Sequence, residues 1–251
     1  MFDCNNLSRR GLLGGVAATL SLALSARSPA APPPGTANPA PPSLTSDQAL
    51  AALKDGNRRF LAGRSIEPDR GGRRRLEIAR AQYPIAVLVS CSDSRVPPEV
   101  LFGRGLGELF IIRNAGNTVD TVAMGSLEYA VTELNVPLVV VMGHERCGAV
   151  AAAVSVVERG TTFPGSIGRM VEPIIPAVLA ARAQGASDLL DASVRANVSR
   201  TVERLRRFSE PMLLDRIKAG QLRIVGARYD LDDGVVDFFD EGLAAVVGVR
   251  R

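Results

Sequence analysis

Four short, largely apolar runs constrain this chain more than any other feature. They are Ile85-Ala86-Val87-Leu88-Val89, Leu109-Phe110-Ile111-Ile112, Pro137-Leu138-Val139-Val140-Val141-Met142 and Leu222-Arg223-Ile224-Val225-Gly226. Each is too short for a typical helix and rich in branched side chains, which predicts strands covered on both faces, as in a parallel sheet. A fifth run, Val235-Val236-Asp237-Phe238-Phe239, follows the fourth across an Asp/Gly-rich stretch at 230–234. So short a connection favours an antiparallel hairpin at the sheet edge. Helical spacing fills the gaps. Thr45 or Ser46 can cap a helix running through Gln48, Leu50, Leu53, Asn57 and Phe60. A second helical or irregular stretch at 73–81 is closed by Tyr83-Pro84, and further helices are expected over 121–133, 148–157, 170–190 and 192–208. The alternation predicts an α/β fold: a mostly parallel central β-sheet with an antiparallel edge strand, flanked by helices. In such folds chemistry sits beyond the carboxyl ends of the strands.

The front of the chain reads differently. Residues 1–30 hold Ser8-Arg9-Arg10-Gly11, an apolar stretch over 12–26, and small residues at Ser25, Ala26, Ser28 and Ala30. The stretch is short for a membrane span but suits a signal peptide, and its paired arginines resemble the twin-arginine class. The competing reading is an amphipathic helix or a retained anchor. Residues 31–43, with Pro32-Pro33-Pro34 and Pro41-Pro42, form a Pro/Ala-rich linker of polyproline II character. The expected organisation is therefore a signal peptide at 1–30, a linker at 31–43 and a catalytic domain at 44–251. Export to the periplasm or beyond is expected, with no stable membrane span after cleavage; a non-functional signal would leave the protein cytoplasmic or anchored. The net charge of +4 includes Arg9, Arg10 and Arg27 from the front segment. No aromatic residues interleave with the cluster Arg70, Arg73, Arg74 and Arg75, so it reads as a solvated surface and no nucleic-acid partner is expected.

Three cysteines are present, and Cys4 falls in the front segment, so the domain keeps Cys91 and Cys147. Two cysteines make no disulfide framework; alone they could be a disulfide, two buried thiols or metal ligands. Their neighbours decide. Cys91 ends the first strand, and His144-Glu145-Arg146-Cys147 opens the loop after the third. One thiolate from one strand end, with an imidazole and a thiolate from another, can converge on a single ion. A Cys2His set is a recognised catalytic zinc arrangement that leaves one tetrahedral position for water. His144 is the sole histidine; such a residue usually lies on the surface or packs, but its place three positions before a domain cysteine favours a ligand. Asp93, two residues after Cys91, can complete a closed site or accept a hydrogen bond from bound water and orient it. Arg95 can hold Asp93 with its fork of donors, the alternative being an ordinary surface pair on a turn. Two thiolates offset the charge of Zn²⁺, so bound water is harder to acidify and an orienting acceptor has more to contribute. Gly148 can present its N–H at a helix start, or serve close packing.

At this point the residues resemble the β-class carbonic anhydrases. Cys91-Ser92-Asp93-Ser94-Arg95 with His144-Glu145-Arg146-Cys147-Gly148 looks like that family's signature. The likeness extends through Gly56-Asn57-Arg58-Arg59-Phe60, Arg113-Asn114-Ala115-Gly116-Asn117 and Val225-Gly226-Ala227-Arg228-Tyr229-Asp230. It implies one Zn²⁺ per chain on Cys91, His144 and Cys147, and an Asp93–Arg95 dyad. The implied reaction is the reversible hydration of carbon dioxide to bicarbonate and a proton by zinc-bound hydroxide. It further implies a narrow apolar pocket lined by Gln82, Phe110, Ala115, Tyr129 and Gly148, with alanine at 115 where many members carry valine. Without the likeness, Phe110 and Tyr129 read as core aromatics and Gln82 as a surface residue before a strand. The family implies a homodimer or a dimer of dimers whose pockets draw on both chains. Two other functions fit the ligand set: hydrolysis of carbon disulfide or carbonyl sulfide, and a non-catalytic zinc-stabilised interaction protein.

Overall fold

A computed structural model describes residues 44–64, 71–207 and 209–241. The expected signal peptide and linker, Cys4, Arg9, Arg10 and Arg70 lie outside the described residues. Helix α1 (Ser46–Leu61) opens on a reciprocal cap. The Thr45 hydroxyl accepts from the Gln48 N–H, and the Gln48 side chain accepts from the Thr45 N–H. Its buried face, Ala49, Leu50 and Leu53, is the one its apolar spacing predicts. Gly56 on that face lets the helix press against the chain at Phe102, because a Cβ there would come within 2.0 Å of the Phe102 carbonyl oxygen.

Helix α2 (Gly72–Ile78) ends three residues before 81 and leaves an irregular approach to Tyr83-Pro84. Strand β1 (Ala86–Cys91), short helix α3 (Pro98–Leu101), strand β2 (Leu109–Asn114), helix α4 (Thr121–Thr132) and strand β3 (Leu138–His144) follow. After β3 come helices α5 (Gly148–Arg159), α6 (Gly165–Val171), α7 (Ile175–Ala183), α8 (Leu189–Arg207) and α9 (Pro211–Lys218), with a single 3₁₀ turn before α7. Strands β4 (Arg223–Tyr229) and β5 (Val236–Asp240) close the described fold. The sheet order is β2-β1-β3-β4-β5; all neighbours are parallel except the β4–β5 pair, which is antiparallel. The architecture is the one the apolar runs predict.

Both central strands, β1 and β3, are buried along their whole length. One face packs Val87, Val89, Val139 and Val141 against α4, α8 and α9; the other packs Ala86, Leu88, Leu138 and Val140 against α1. Strand β2 departs from expectation, being buried only at Ile112, because it stands at the edge of the chain's own sheet. Helix α8 lies close over β3 and β4 because Gly143 and Gly226 present no side chain. A Cβ at either would approach Val198 methyls within 2.8 and 2.9 Å. That contact brings α8 next to the strand carrying His144.

Candidate metal centre

From β1 the chain moves outward to β2, whereas from β3 it moves the other way to β4. The loops leaving the carboxyl ends of β1 and β3 therefore diverge, and the crevice between them is where open α/β sheets bind ligands. Cys91 is the last residue of β1, and His144 is the last of β3 rather than the first of the loop. Arg146 then takes the left-handed conformation, with φ of 51°, and turns the chain back. Cys147 becomes the residue that caps the start of α5.

These turns bring three donor atoms within 4.8 Å of one another: the Cys91 and Cys147 sulfurs and a ring nitrogen of His144. The two sulfurs are 3.9 Å apart. Two thiolates on one tetrahedral zinc, each at about 2.3 Å, would be separated by about 3.8 Å. His144 is fully buried, and its Nδ1 lies 2.8 Å from the Glu145 carbonyl oxygen. A carbonyl only accepts, so Nδ1 carries the proton and Nε2 keeps its lone pair. Nε2 is buried and has no hydrogen-bond partner, an arrangement a metal ligand resolves. Soft sulfurs with one imidazole fit zinc, and the three residues form one zinc site per chain.

The surroundings prepare the ligands. The Cys91 thiol is lowered, first by the hydrogen bond from the Cys147 side chain, against the penalty of burial. The backbone N–H groups of Gly116 and Asp93 lower it further. Cys147 is pushed up by that same bond, by burial and by the charge on Cys91, while the N–H groups of Val150 and Ala149 work in the opposite direction. Asp93 is gripped by Arg95 through three bonds: Nε to Oδ1 at 2.9 Å, Nη2 to Oδ2 at 2.8 Å, and the backbone N–H to Oδ1 at 3.0 Å. Held first by the Arg95 side chain, its carboxyl lies well below the usual carboxylate range. Its Oδ2 is 3.8 Å from His144 Nε2, so the forked carboxylate stands at the edge of the metal site.

Behind the His144 turn lies an ion-pair cluster that the sequence pattern does not predict. Arg228, from β4, reaches Asp191 at 2.5 Å and Asp230 at 2.9 Å, and lies 3.9 Å from Glu145. Arg146 binds Asp232, and Glu145 accepts from the Leu231 N–H. Glu145, Asp230 and Asp232 gather closely enough to suggest a second cation site, but all three carboxylates accept from arginine or backbone donors. The cluster holds the loop whose carbonyl orients the His144 ring. Arg113, to which the sequence pattern gives no role, donates to the carbonyls of Cys91 and Asp93.

The other expected site residues divide into two groups. Ala115 packs against the buried apolar cluster that includes Cys91 and Cys147. Gly148 is the first residue of α5, and a Cβ there would meet nothing within 4 Å, so packing does not demand glycine. Gln82, Phe110 and Tyr129 do not join the triad within the chain. Phe110 pairs with Val87, four residues short of the Cys91–Asn114 pair, which is about 13 Å along the strand. Its ring meets Tyr129 at 6.3 Å on the flank of the core, and Gln82 is exposed ahead of β1.

Comparison with known proteins agrees with this geometry. A family profile described as "Carbonic anhydrase" matches residues 86–236, from β1 through the start of β5. Carbonic anhydrase 2 of Mycobacterium tuberculosis is 44% identical over 193 residues, spanning 77% of this chain and 92% of that protein. The carbonic anhydrase of Mycolicibacterium smegmatis is 43% identical over 189 residues, spanning 75% and 91%. Among solved structures, the Coccomyxa β-carbonic anhydrase superposes with a TM-score of 0.62 at 28% identity, over 78% of this chain and 88% of that one. With a Cys2His zinc site at the switch point of a mostly parallel sheet and these relatives over most of its length, the chain belongs to the β-carbonic anhydrase family.

Proposed function

We propose that this protein catalyses the reversible hydration of carbon dioxide to bicarbonate and a proton, with Asp93 and Arg95 as its working dyad. The observation that carries the reading is the fork: Arg95 holds both Asp93 oxygens, so the carboxylate faces the zinc site without being one of its three donors. A purely structural zinc site has no use for such a group. Cys91, His144 and Cys147 would hold the zinc, which when bound would acidify a water toward neutral pH and place a positive charge beside a developing anion. Asp93, kept ionised by Arg95 at the edge of the three donors, is placed to accept a hydrogen bond from a water held there and so to orient it. The Glu145 carbonyl fixes the imidazole tautomer, leaving Nε2 for the metal. Gly148 carries one of the first N–H groups of α5, which have no intrahelical acceptor and suit a product oxygen.

In this reading Gln82, Phe110 and Tyr129 line the pocket of a second copy, in a homodimer or a dimer of dimers. Support comes from the half-buried β2 edge and from α4, where Val122 is 77% and Tyr129 49% exposed. The expected result for purified, zinc-quantified protein is carbon dioxide hydration in stopped flow by a species that light scattering finds no smaller than a dimer. Hydration no faster than buffer, from dimeric protein with full zinc, would end the proposal; an active monomer would remove Gln82, Phe110 and Tyr129 from a shared pocket.

We further propose that the catalytic domain spans 44–251, and that residues 1–30 direct export by the twin-arginine route, joined by the linker at 31–43. Arg9-Arg10 ahead of an apolar run and the capped start of α1 at Thr45 support this division. No described helix is long and apolar enough to cross a membrane. Replacing Arg9 and Arg10 with lysine should hold the precursor in the cytoplasm. Unchanged export of that variant excludes the route.

A further inference from the structure

We propose that Arg113 is a positioning residue for this site, acting as a clamp on the turn that carries both a zinc ligand and the dyad carboxylate; the catalytic part of the inference rests on the function proposed above. Arg113 lies near the end of the edge strand β2, where an exposed arginine would ordinarily be read as a solvated surface charge. Its guanidinium instead crosses to the neighbouring strand end. Nε donates to the Cys91 carbonyl at 2.8 Å, and Nη2 donates to the Asp93 carbonyl at 2.7 Å.

Those two carbonyls bracket the residues that matter. Beyond Cys91, the last residue paired with β2, the chain must leave the sheet and place Asp93 beside the metal within two residues. Ser92 N–H to the Asn114 carbonyl fixes one point of the turn, and Val96 N–H to the Asp93 carbonyl fixes another. Arg113 joins them by drawing both carbonyls onto one rigid, planar cation. This fixes the peptide planes on either side of Ser92-Asp93 and, through them, the direction of the Cys91 sulfur and the Asp93 carboxylate. Only a guanidinium does this, because its donors are fixed in a plane and two point the same way. A lysine ammonium keeps the charge without the fixed fork. Arg95 orients the Asp93 side chain, whereas Arg113 orients the backbone from which that side chain hangs.

The test compares Arg113→Ala and Arg113→Lys with the wild-type zinc protein. Partners that orient metal ligands are commonly worth 10–100-fold in affinity or activity. Both variants are expected to fold, bind one zinc, and release it to a chelator roughly 10-fold faster or more. The turnover number kcat should fall by about the same factor with KM little changed. Added guanidinium should restore part of the alanine variant's kcat and slow its zinc release, whereas equal ammonium should not. Wild-type zinc release and kcat in zinc-loaded Arg113→Lys would overturn the clamp by showing that charge alone suffices. If Arg113→Ala does not fold, Arg113→Lys decides. Loss of kcat in a variant whose zinc release is unchanged and which guanidinium does not rescue also overturns it. Should the wild-type protein hydrate no carbon dioxide, the proposed reaction fails while the zinc-release comparison still judges the clamp.

Discussion

Replacing His144 with alanine or Cys91 with serine is expected to cost the protein its zinc and, with it, carbon dioxide hydration down to the buffer background. The three donors converge from two strand ends, and no other His or Cys among the described residues lies in the cluster to take over. Structural zinc sites bind with apparent free energies of about 10–16 kcal/mol, so losing one donor of three removes on the order of 4 kcal/mol. That is roughly 1,000-fold in affinity. The two variants fail differently. Serine preserves the shape at Cys91 and the backbone donors around it but offers a hydroxyl where the site has prepared a thiolate. Alanine at 144 also empties a fully buried ring position and leaves the Glu145 carbonyl without its donor, so its melting temperature should fall further. In the wild type, binding should weaken on acidification. Cys147, pushed up by its bond to Cys91 and by burial, must give up a proton before both sulfurs can bind zinc. Elemental analysis after dialysis against a mild chelator checks the ligand set, and full zinc in either variant removes that residue from it.

The sequence reveals those ligands because it constrains them twice. Cys91 and His144 close apolar runs that the parallel sheet buries on both faces, and the sheet order turns those two strand ends into one crevice. Strand type, chain position and ligand chemistry all converge on the same residues. Element boundaries are harder to read: β3 runs on to His144, which its apolar run places at the opening of the loop, because backbone pairing continues past the apolar side chains. Helix α9 (Pro211–Lys218) is hidden in the sequence because it is only 8 residues long and fully buries a single side chain, Leu213. Arg113 and Arg228 cannot be assigned from sequence, since each acts through partners on other strands or helices. Gln82, Phe110 and Tyr129 show the limit from the other side. Family likeness places them in a pocket, but one chain alone keeps Phe110 about 13 Å of strand from the level of Cys91.

The second large effect is expected at the dyad, where Arg95→Ala and Asp93→Asn should each keep zinc and lose most of the rate. Neither residue belongs to the three-donor set, so metal content should match the wild type. In the present geometry Asp93 is turned toward Arg95, with Oδ2 still only 3.8 Å from His144 Nε2. A small rotation would make it a fourth ligand in place of water. Arg95 opposes that rotation with two parallel charge-assisted bonds, so its removal frees the carboxylate to close the site. Protonation cannot explain the expected loss. The Arg95 side chain depresses the Asp93 pKa, so without it the group moves up toward an ordinary value near 3.9 and stays ionised at neutral pH. For the same reason, wild-type Asp93 is not the group that sets any change in rate between about pH 6 and 9. Raising the pH supplies more hydroxide to compete with the freed carboxylate, so Arg95→Ala should recover activity at higher pH than the wild type. Asp93→Asn should show no such recovery, because its amide neither closes the site as a carboxylate does nor replaces the acceptor that orients the water. Rates of about 1% of wild type are expected in both variants at neutral pH, in keeping with the loss of a group that orients the reacting water. The pH–rate profiles, corrected for zinc, separate the outcomes. An Arg95→Ala enzyme with the wild-type profile and rate shows that the fork neither aims Asp93 nor keeps it off the metal.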